Sequence, residues 1–256
     1  MLDLKNARIL ITNDDGIHAQ GIGVLERIAR TISDDVWVIA PETEQSATGH
    51  SLTLRRPLRL HKYSQQRFSV DGTPTDSVLI GVNEVLKAKK PDLILSGVNK
   101  GGNLGEDITY SGTVAAAMEG TLLGIPSFAF SQFYTDPNNV IWDCAEQLAF
   151  KVIQTVCSKP WKENTLINVN FPAQKPEYVK GVKVAAQGRR KIGDDLCKVQ
   201  DPRGDDYFWI GALRSESQFN EGTDIHAVMN DYISVTPVSL DFTDHALVSS
   251  LKERFK

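Results

Sequence analysis

A chain of 256 residues, 41% hydrophobic and 23% charged, has the make-up of a folded globular protein with room for one sizeable core, which excludes an intrinsically disordered one. Its formal net charge of −4 gives no electrostatic basis for gripping duplex nucleic acid, while a small anionic substrate at a local site stays open. No run of about 18 apolar residues occurs, and the start, Met1-Leu2-Asp3-Leu4-Lys5-Asn6, lacks a signal peptide's apolar core, so the expectation is a cytoplasmic protein with no membrane partner.

In chain order, residues 7–12 read as a buried strand, 21–32 as a helix by apolar spacing, and 36–40 as a second strand, a βαβ opening. Residues 52–70 alternate apolar and charged positions around a polar turn at Ser64-Gln65-Gln66 and predict an inserted hairpin, with Arg55, Arg56 and Arg59 as a solvated face. A helix over 74–86, opened by Thr73-Pro74 with Asp76 three residues past the cap, leads to a strand at 92–96. An alanine-rich helix at 111–123 stops at Gly124, a strand follows at 125–131, a helix at 142–156, and a strand at 165–170.

This alternation predicts an α/β fold, a mostly parallel sheet with helices on both faces, making three layers over residues 1–180 with the hairpin of 52–71 inserted. From 181 to 237 the helical pattern disappears and strand-like pieces at 206–211 and 231–235 take over, before an amphipathic helix at 244–254. Residues 181–256 are therefore expected to be a smaller β-rich subdomain serving self-association. The cysteines, Cys144, Cys157 and Cys197, are odd in number and lack a Cys-x-x-Cys pair, so they read as core or surface thiols.

Three loops each place a hard oxygen ligand where a strand should end: Asp14 and Asp15 in Asn13-Asp14-Asp15-Gly16, Ser46 in Gln45-Ser46-Ala47-Thr48-Gly49, and Asn99 in Ser96-Gly97-Val98-Asn99. In an open α/β sheet such loops converge on one crevice beyond the carboxyl ends of the strands. Neighbouring carboxylates repel and a cation relieves the repulsion; with oxygen ligands and no cysteine or histidine the set favours Mg²⁺, Mn²⁺ or Ca²⁺ over Zn²⁺. Each piece alone has a plainer reading, as a turn, a cap or a loop residue.

The run from Gly97 through Gly101, Gly102 and Gly105, interleaved with Asn99 and Asn103, permits close backbone approach to an anion. Ser111-Gly112-Thr113 then opens a helix whose first amides and hydroxyls form a phosphate seat. Asn103, the amides of 101–105 and Ser111 to Thr113 are thus the expected phosphate ligands, with Asp14 or Asp15 also orienting an attacking water. The reading is a metal-dependent phosphate-ester hydrolase using one divalent ion per subunit, Mg²⁺ or Mn²⁺; a non-catalytic nucleotide-binding module is the alternative. His18 is either a proton donor or a loop histidine, and His50 and His226 are undecided. Gly21-Ile22-Gly23 lacks the third glycine of a dinucleotide fingerprint, since Glu26 stands there.

Ile11-Thr12-Asn13-Asp14-Asp15-Gly16, Gly72-Thr73-Pro74-Thr75-Asp76, Ser96-Gly97-Val98-Asn99 and Tyr110-Ser111-Gly112-Thr113 resemble the SurE survival-protein nucleotidases. The resemblance implies a Rossmann-like core, hydrolysis of nucleoside 5′- and 3′-monophosphates, and a carboxyl-terminal region exchanged in a homodimer or homotetramer; cleavage of polyphosphate stays open. It implies metal ligands at Asp14, Asp15, Ser46 and Asn99. This chain departs from the family's pattern at Gln20, usually proline, and Ala47, usually glycine.

Overall fold

The computed structural model describes residues 2–190, 196–210 and 219–255. The first strand, β1 (Ile9–Thr12), is buried at every position and lies mid-sheet, and α1 (Gln20–Ile32) returns over one face with Ile22, Leu25, Ile28 and Ile32 turned inward. Gln20 is the first residue of that helix, the one helical position where proline and other residues are equally compatible with the hydrogen bonding.

β2 (Val36–Pro41) lies parallel to β1, and the hairpin of β3 (Leu60–Ser64) and β4 (Arg67–Val70) extends the sheet outward, with β4 parallel to β2. The expected hairpin at 52–71 is thus shorter, and it forms an edge of the main sheet. Residues 52–59 form no strand; the Thr53 amide instead bonds Asp76 Oδ1 at 3.0 Å.

Asp76 closes the expected capping box of α2 (Pro74–Ile80), which runs on as one π-helical turn over Gly81–Val85. β5 (Leu93–Lys100) is longer than expected: pairing with the next strand shifts register between Ser96 and Asn99 and then resumes. The glycine-bearing Ser96-Gly97-Val98 reads as loop in sequence because such a shift has no apolar periodicity of its own.

α3 (Gly112–Leu122), β6 (Ser127–Gln132), α4 (Trp142–Cys157) and β7 (Thr165–Phe171) follow as expected. Helices α1 and α4 share one core with the sheet, α2 and α3 the other, which makes the three layers. β8 (Val182–Val184) and the late strand β11 (Ile233–Ser239) join this same sheet, β11 antiparallel to β7 and parallel to β8. The nine strands run β3-β4-β2-β1-β5-β6-β7-β11-β8, so the sheet crosses the expected boundary at residue 180.

Two further differences lie beyond it. A helix, α5 (Asp224–Met229), stands where none was expected; at six residues it is too short to show periodicity, and the Thr223 hydroxyl caps it. β9 (Leu196–Gln200) pairs antiparallel with β10 (Asp206–Ile210) as a separate two-stranded ribbon, and Gly211 of the expected strand lies outside the described residues. The closing helix α6 (His245–Arg254) is exposed throughout most of its length. Among the described residues no helix is long and apolar enough to cross a membrane.

Candidate active site

β1 continues through α1 to one side of the sheet and β5 through α3 to the other, so the crevice between their carboxyl ends is the topological switch point. Asp14 and Asp15 follow β1; Asn99 is the penultimate residue of β5. Gly16, at φ 97°, takes a backbone shape that a side chain would strain, and the Asn13 side chain locks the turn by donating to Gly16 O at 2.9 Å.

Asp14 is buried against the amino end of α3. The Thr113 hydroxyl donates to Asp14 Oδ1, and the Thr113 backbone amide adds a second stabilising bond. A Cβ on Gly112 would stand 2.7 Å from Asp14 Cβ, so only glycine lets the helix start this close. Burial nevertheless raises the Asp14 carboxyl above its usual range, against these bonds. For Asp15 burial is again the largest cause, followed by the charge of Asp14, and together they push it up to about 7; the Lys100 amide, 3.3 Å from Oδ2, and the Lys100 charge oppose this.

The loop that carries the exposed Ser46 is tied beside the same turn, since the Gln45 amide bonds Asp14 O at 2.8 Å and the Gly49 amide bonds Tyr110 O at 3.1 Å. The Ser46 hydroxyl donates to Glu44 Oε1 at 2.8 Å, which leaves its oxygen lone pairs available. Asn99 Nδ2 donates to Gly101 O at 2.9 Å, which fixes the carboxamide, and Oδ1 carries no bond among the described residues. Ser46, in the loop after β2, and Asn99, near the end of β5, therefore each have a hard oxygen free beside the strand that leads to the two desolvated carboxylates, the donor chemistry a divalent cation takes. Among the described residues no three His, Cys, Asp or Glu side chains form a metal-binding group, so hydroxyl and amide oxygens would have to complete any such set.

The expected phosphate ligands divide. Gly101 gives its amide to Gln132 O at 3.0 Å, Asn103 to Asn170 Oδ1 at 2.8 Å, Leu104 to Asp107 Oδ2 at 3.4 Å and Gly105 to Asp224 Oδ2 at 2.9 Å. Of the amides of 101–105, only that of Gly102 lacks an acceptor among the described residues. The Ser111 hydroxyl caps α3 by accepting from the Val114 amide at 3.1 Å. The hydroxyls expected in the phosphate seat are thus committed to the helix start and to Asp14. The Asn103 side chain is buried, with Nδ2 donating to Ser131 Oγ at 2.8 Å.

An open pocket of about 690 Å³ adjoins Asp15 and is lined also by Gln20, Glu44, Lys100, Asn138 and Trp142. His50 bonds Glu119 Oε2 at 2.8 Å, His18 lies exposed with its ring edge-on to Tyr63, and His226 belongs to α5. Sequence reasoning missed Asn168, Asn170 and Asp224, which hold the glycine-rich loop from beneath. A usable signal was present: Asn168 and Asn170 alternate on one face of a strand that is otherwise apolar.

Residues 9–194 match the family model described as Survival protein SurE, a span that holds Asp14, Asp15, Ser46, Asn99, Asn103 and Thr113. The chain belongs to the SurE family. A SurE relative from Paramagnetospirillum magneticum, named 5′-nucleotidase SurE, is 59% identical over 99% of this chain and 97% of its own length. One of the same name from Rhodospirillum rubrum is 51% identical over 100% of this chain and 98% of its own. The crystal structure of the SurE protein from Aquifex aeolicus superposes with a TM-score of 0.86 at 42% identity, covering 97% of this chain and 99% of that one.

Proposed function

We propose that this protein is a divalent-metal-dependent phosphomonoesterase that hydrolyses nucleoside 5′-monophosphates, and 3′-monophosphates, to nucleoside and inorganic phosphate, with polyphosphate as a further substrate. The observation that carries the reading is the placement of two adjacent carboxylates, Asp14 buried against the amino end of α3 and Asp15 beside it, at the sheet's switch point, where a cation would relieve the cost of keeping both charged out of water. The 5′-nucleotidase name of the SurE relatives supports the substrate class.

Asp14, Asp15, Ser46 and Asn99 would hold one Mg²⁺ or Mn²⁺ per subunit. Bound there, the ion would neutralise phosphoryl charge and lower the pKa of water. The chain's own groups do the remaining work. Thr113 holds Asp14 in one orientation, and a carboxylate oxygen of Asp15 orients the attacking water by accepting a hydrogen bond from it. The Gly102 amide donates to a phosphoryl oxygen. Asn103 does the same once its carboxamide turns so that Ser131 donates to Oδ1 and Nδ2 faces out, an exchange of nearly identical atoms.

Self-association into a homodimer or homotetramer is part of the proposal. A two-stranded ribbon is marginal alone, yet β9 and β10 expose Phe208, Trp209 and Ile210, and α6 exposes Leu247; light scattering tests it, and a monomer at all concentrations would remove this part.

The activity is tested by phosphate release from 5′- and 3′-nucleoside monophosphates and polyphosphate, crossed with Mg²⁺, Mn²⁺, Ca²⁺ and Zn²⁺ and with chelator. Turnover abolished by chelator and restored by Mg²⁺ or Mn²⁺ is the expected result. Nucleotide binding with no phosphate released under any condition would identify a non-catalytic module instead, and full activity in chelator would remove the metal.

A further inference from the structure

Beneath the glycine-rich loop the sheet presents polar side chains where buried strands ordinarily carry valine or isoleucine. Ser131 on β6, Asn168 and Asn170 on β7, and Ser234 and Thr236 on β11 are all buried. Ser131 stands beside Asn170 and Asn170 beside Ser234, with Asn168 beside Thr236 two residues back, so alternate positions on three strands make one polar patch. Among the described residues, Asn168 Oδ1, Ser234 Oγ and Thr236 Oγ1 have no hydrogen-bond partner. Burial of such groups opposes folding, so the patch calls for a reason beyond packing.

The patch holds Asn103. Asn170 grips that residue's backbone at both ends: Oδ1 accepts from the Asn103 amide at 2.8 Å, and Nδ2 donates to the Asn103 carbonyl at 3.1 Å. Asn168 Nδ2 donates to the same carbonyl at 2.9 Å, and Ser131 Oγ lies 2.8 Å from the Asn103 carboxamide, a bond that either carboxamide orientation keeps. A stretch interrupted by Gly101, Gly102 and Gly105 has little side-chain packing to fix its own course. Binding a transition state requires placement to within about 0.5 Å, which rigid elements supply better than loops.

We propose that Asn170, backed by Asn168, is a positioning residue: its carboxamide ties the Asn103 backbone to the central sheet and so aims the Asn103 side chain at the reacting phosphoryl group. The inference rests on Asn103 being a phosphoryl ligand. Asn170 itself touches no substrate.

The test uses the full-length protein with AMP and Mn²⁺, comparing wild type with Asn170→Ala, Asn170→Asp and Asn103→Ala for kcat, KM and thermal unfolding. Hydrogen exchange is measured in parallel on the peptide that carries Asn103. Losing the clamp is expected to lower kcat about 10- to 100-fold, while KM changes less than about threefold and the 103 amide exchanges faster. Asn170→Asp keeps the acceptor but sets a carboxylate oxygen against the Asn103 carbonyl, so it should lower kcat at least as far as Asn170→Ala at high pH and recover when the carboxyl is protonated at lower pH; this pH-dependent recovery carries the test if the alanine variant does not fold. Wild-type kcat per folded molecule in the Asn170 variants, alongside an impaired Asn103→Ala, would overturn the positioning role alone. Full activity in Asn103→Ala would instead remove the phosphoryl-ligand reading, and the present inference with it.

Discussion

The Thr113 hydroxyl, in the first turn of α3, donates to Oδ1 of Asp14 at the tip of β1, 99 residues earlier. This bond joins the two sides of the crevice and sets which way the carboxylate faces. Thr113→Val, similar in shape but without the donor, is expected to lower kcat about 10- to 100-fold and stability by about 1 kcal/mol, while Thr113→Ser keeps most of both. Steady-state kinetics beside urea denaturation check it. Unchanged turnover in the valine variant would show that Asp14 needs no such support.

Asp15 makes metal-free stability depend on pH in a definite direction. Its carboxyl titrates near 3.8 in a reference chain and at about 7 in the fold. Between those values the folded state holds a proton that the unfolded chain has released, so stability falls as pH rises from about 4 to about 7, by at most roughly 4 kcal/mol. Below that window the group contributes nothing, and above it the loss is complete. Unfolding temperatures across this range in chelator should show the decline, Asp15→Asn should flatten it, and added Mn²⁺ should stabilise more at pH 8 than at pH 5. A slope identical in Asp15→Asn would assign the effect elsewhere.

Gly112→Ala sets helix propensity against steric fit. Alanine favours a helix by about 1 kcal/mol, but its Cβ would lie 2.7 Å from Asp14 Cβ and 3.1 Å from Pro74 Cγ. The clash should dominate, displacing Asp14 and depressing kcat about 100-fold, whatever the change in unfolding temperature. Activity near wild type would mean that the helix start can retreat without moving the carboxylate.

Ala47, next to Ser46, sits at φ 59°, the left-handed region that costs an L-residue roughly 1–2 kcal/mol, and its side chain is exposed. Ala47→Gly should therefore raise stability by up to about 1 kcal/mol, the extra freedom of glycine in the unfolded chain offsetting part of the gain. A lower denaturation midpoint would show that the Ser46 loop is held in this shape at no strain.

Much of the fold is legible along the chain because buried parallel strands and amphipathic helices write their periods into short windows. α1, α4 and β2 show this, and the Thr73 to Asp76 capping box announced the start of α2. The register shift in β5 and the six-residue α5 left no such trace: the first depends on pairing with β6, the second is shorter than two turns. In the site, Asp14, Asp15, Ser46 and Asn99 could be singled out only together, because all of them follow strands of one sheet while each alone reads as a turn, cap or loop residue. The direction each group faces could not.

Composition, periodicity and loop chemistry alone thus determined an α/β sheet with its polar ligands gathered at one end of the strands, since those properties act over a few neighbouring residues. Only the tertiary structure decided that Thr113 serves Asp14, that Gly101 and Gly105 donate to Gln132 and Asp224, and that β11 shares the sheet with β1. Each is a pairing between segments far apart in the chain. Which distant donor meets which acceptor depends on closing the whole core, and no local stretch of residues carries that information.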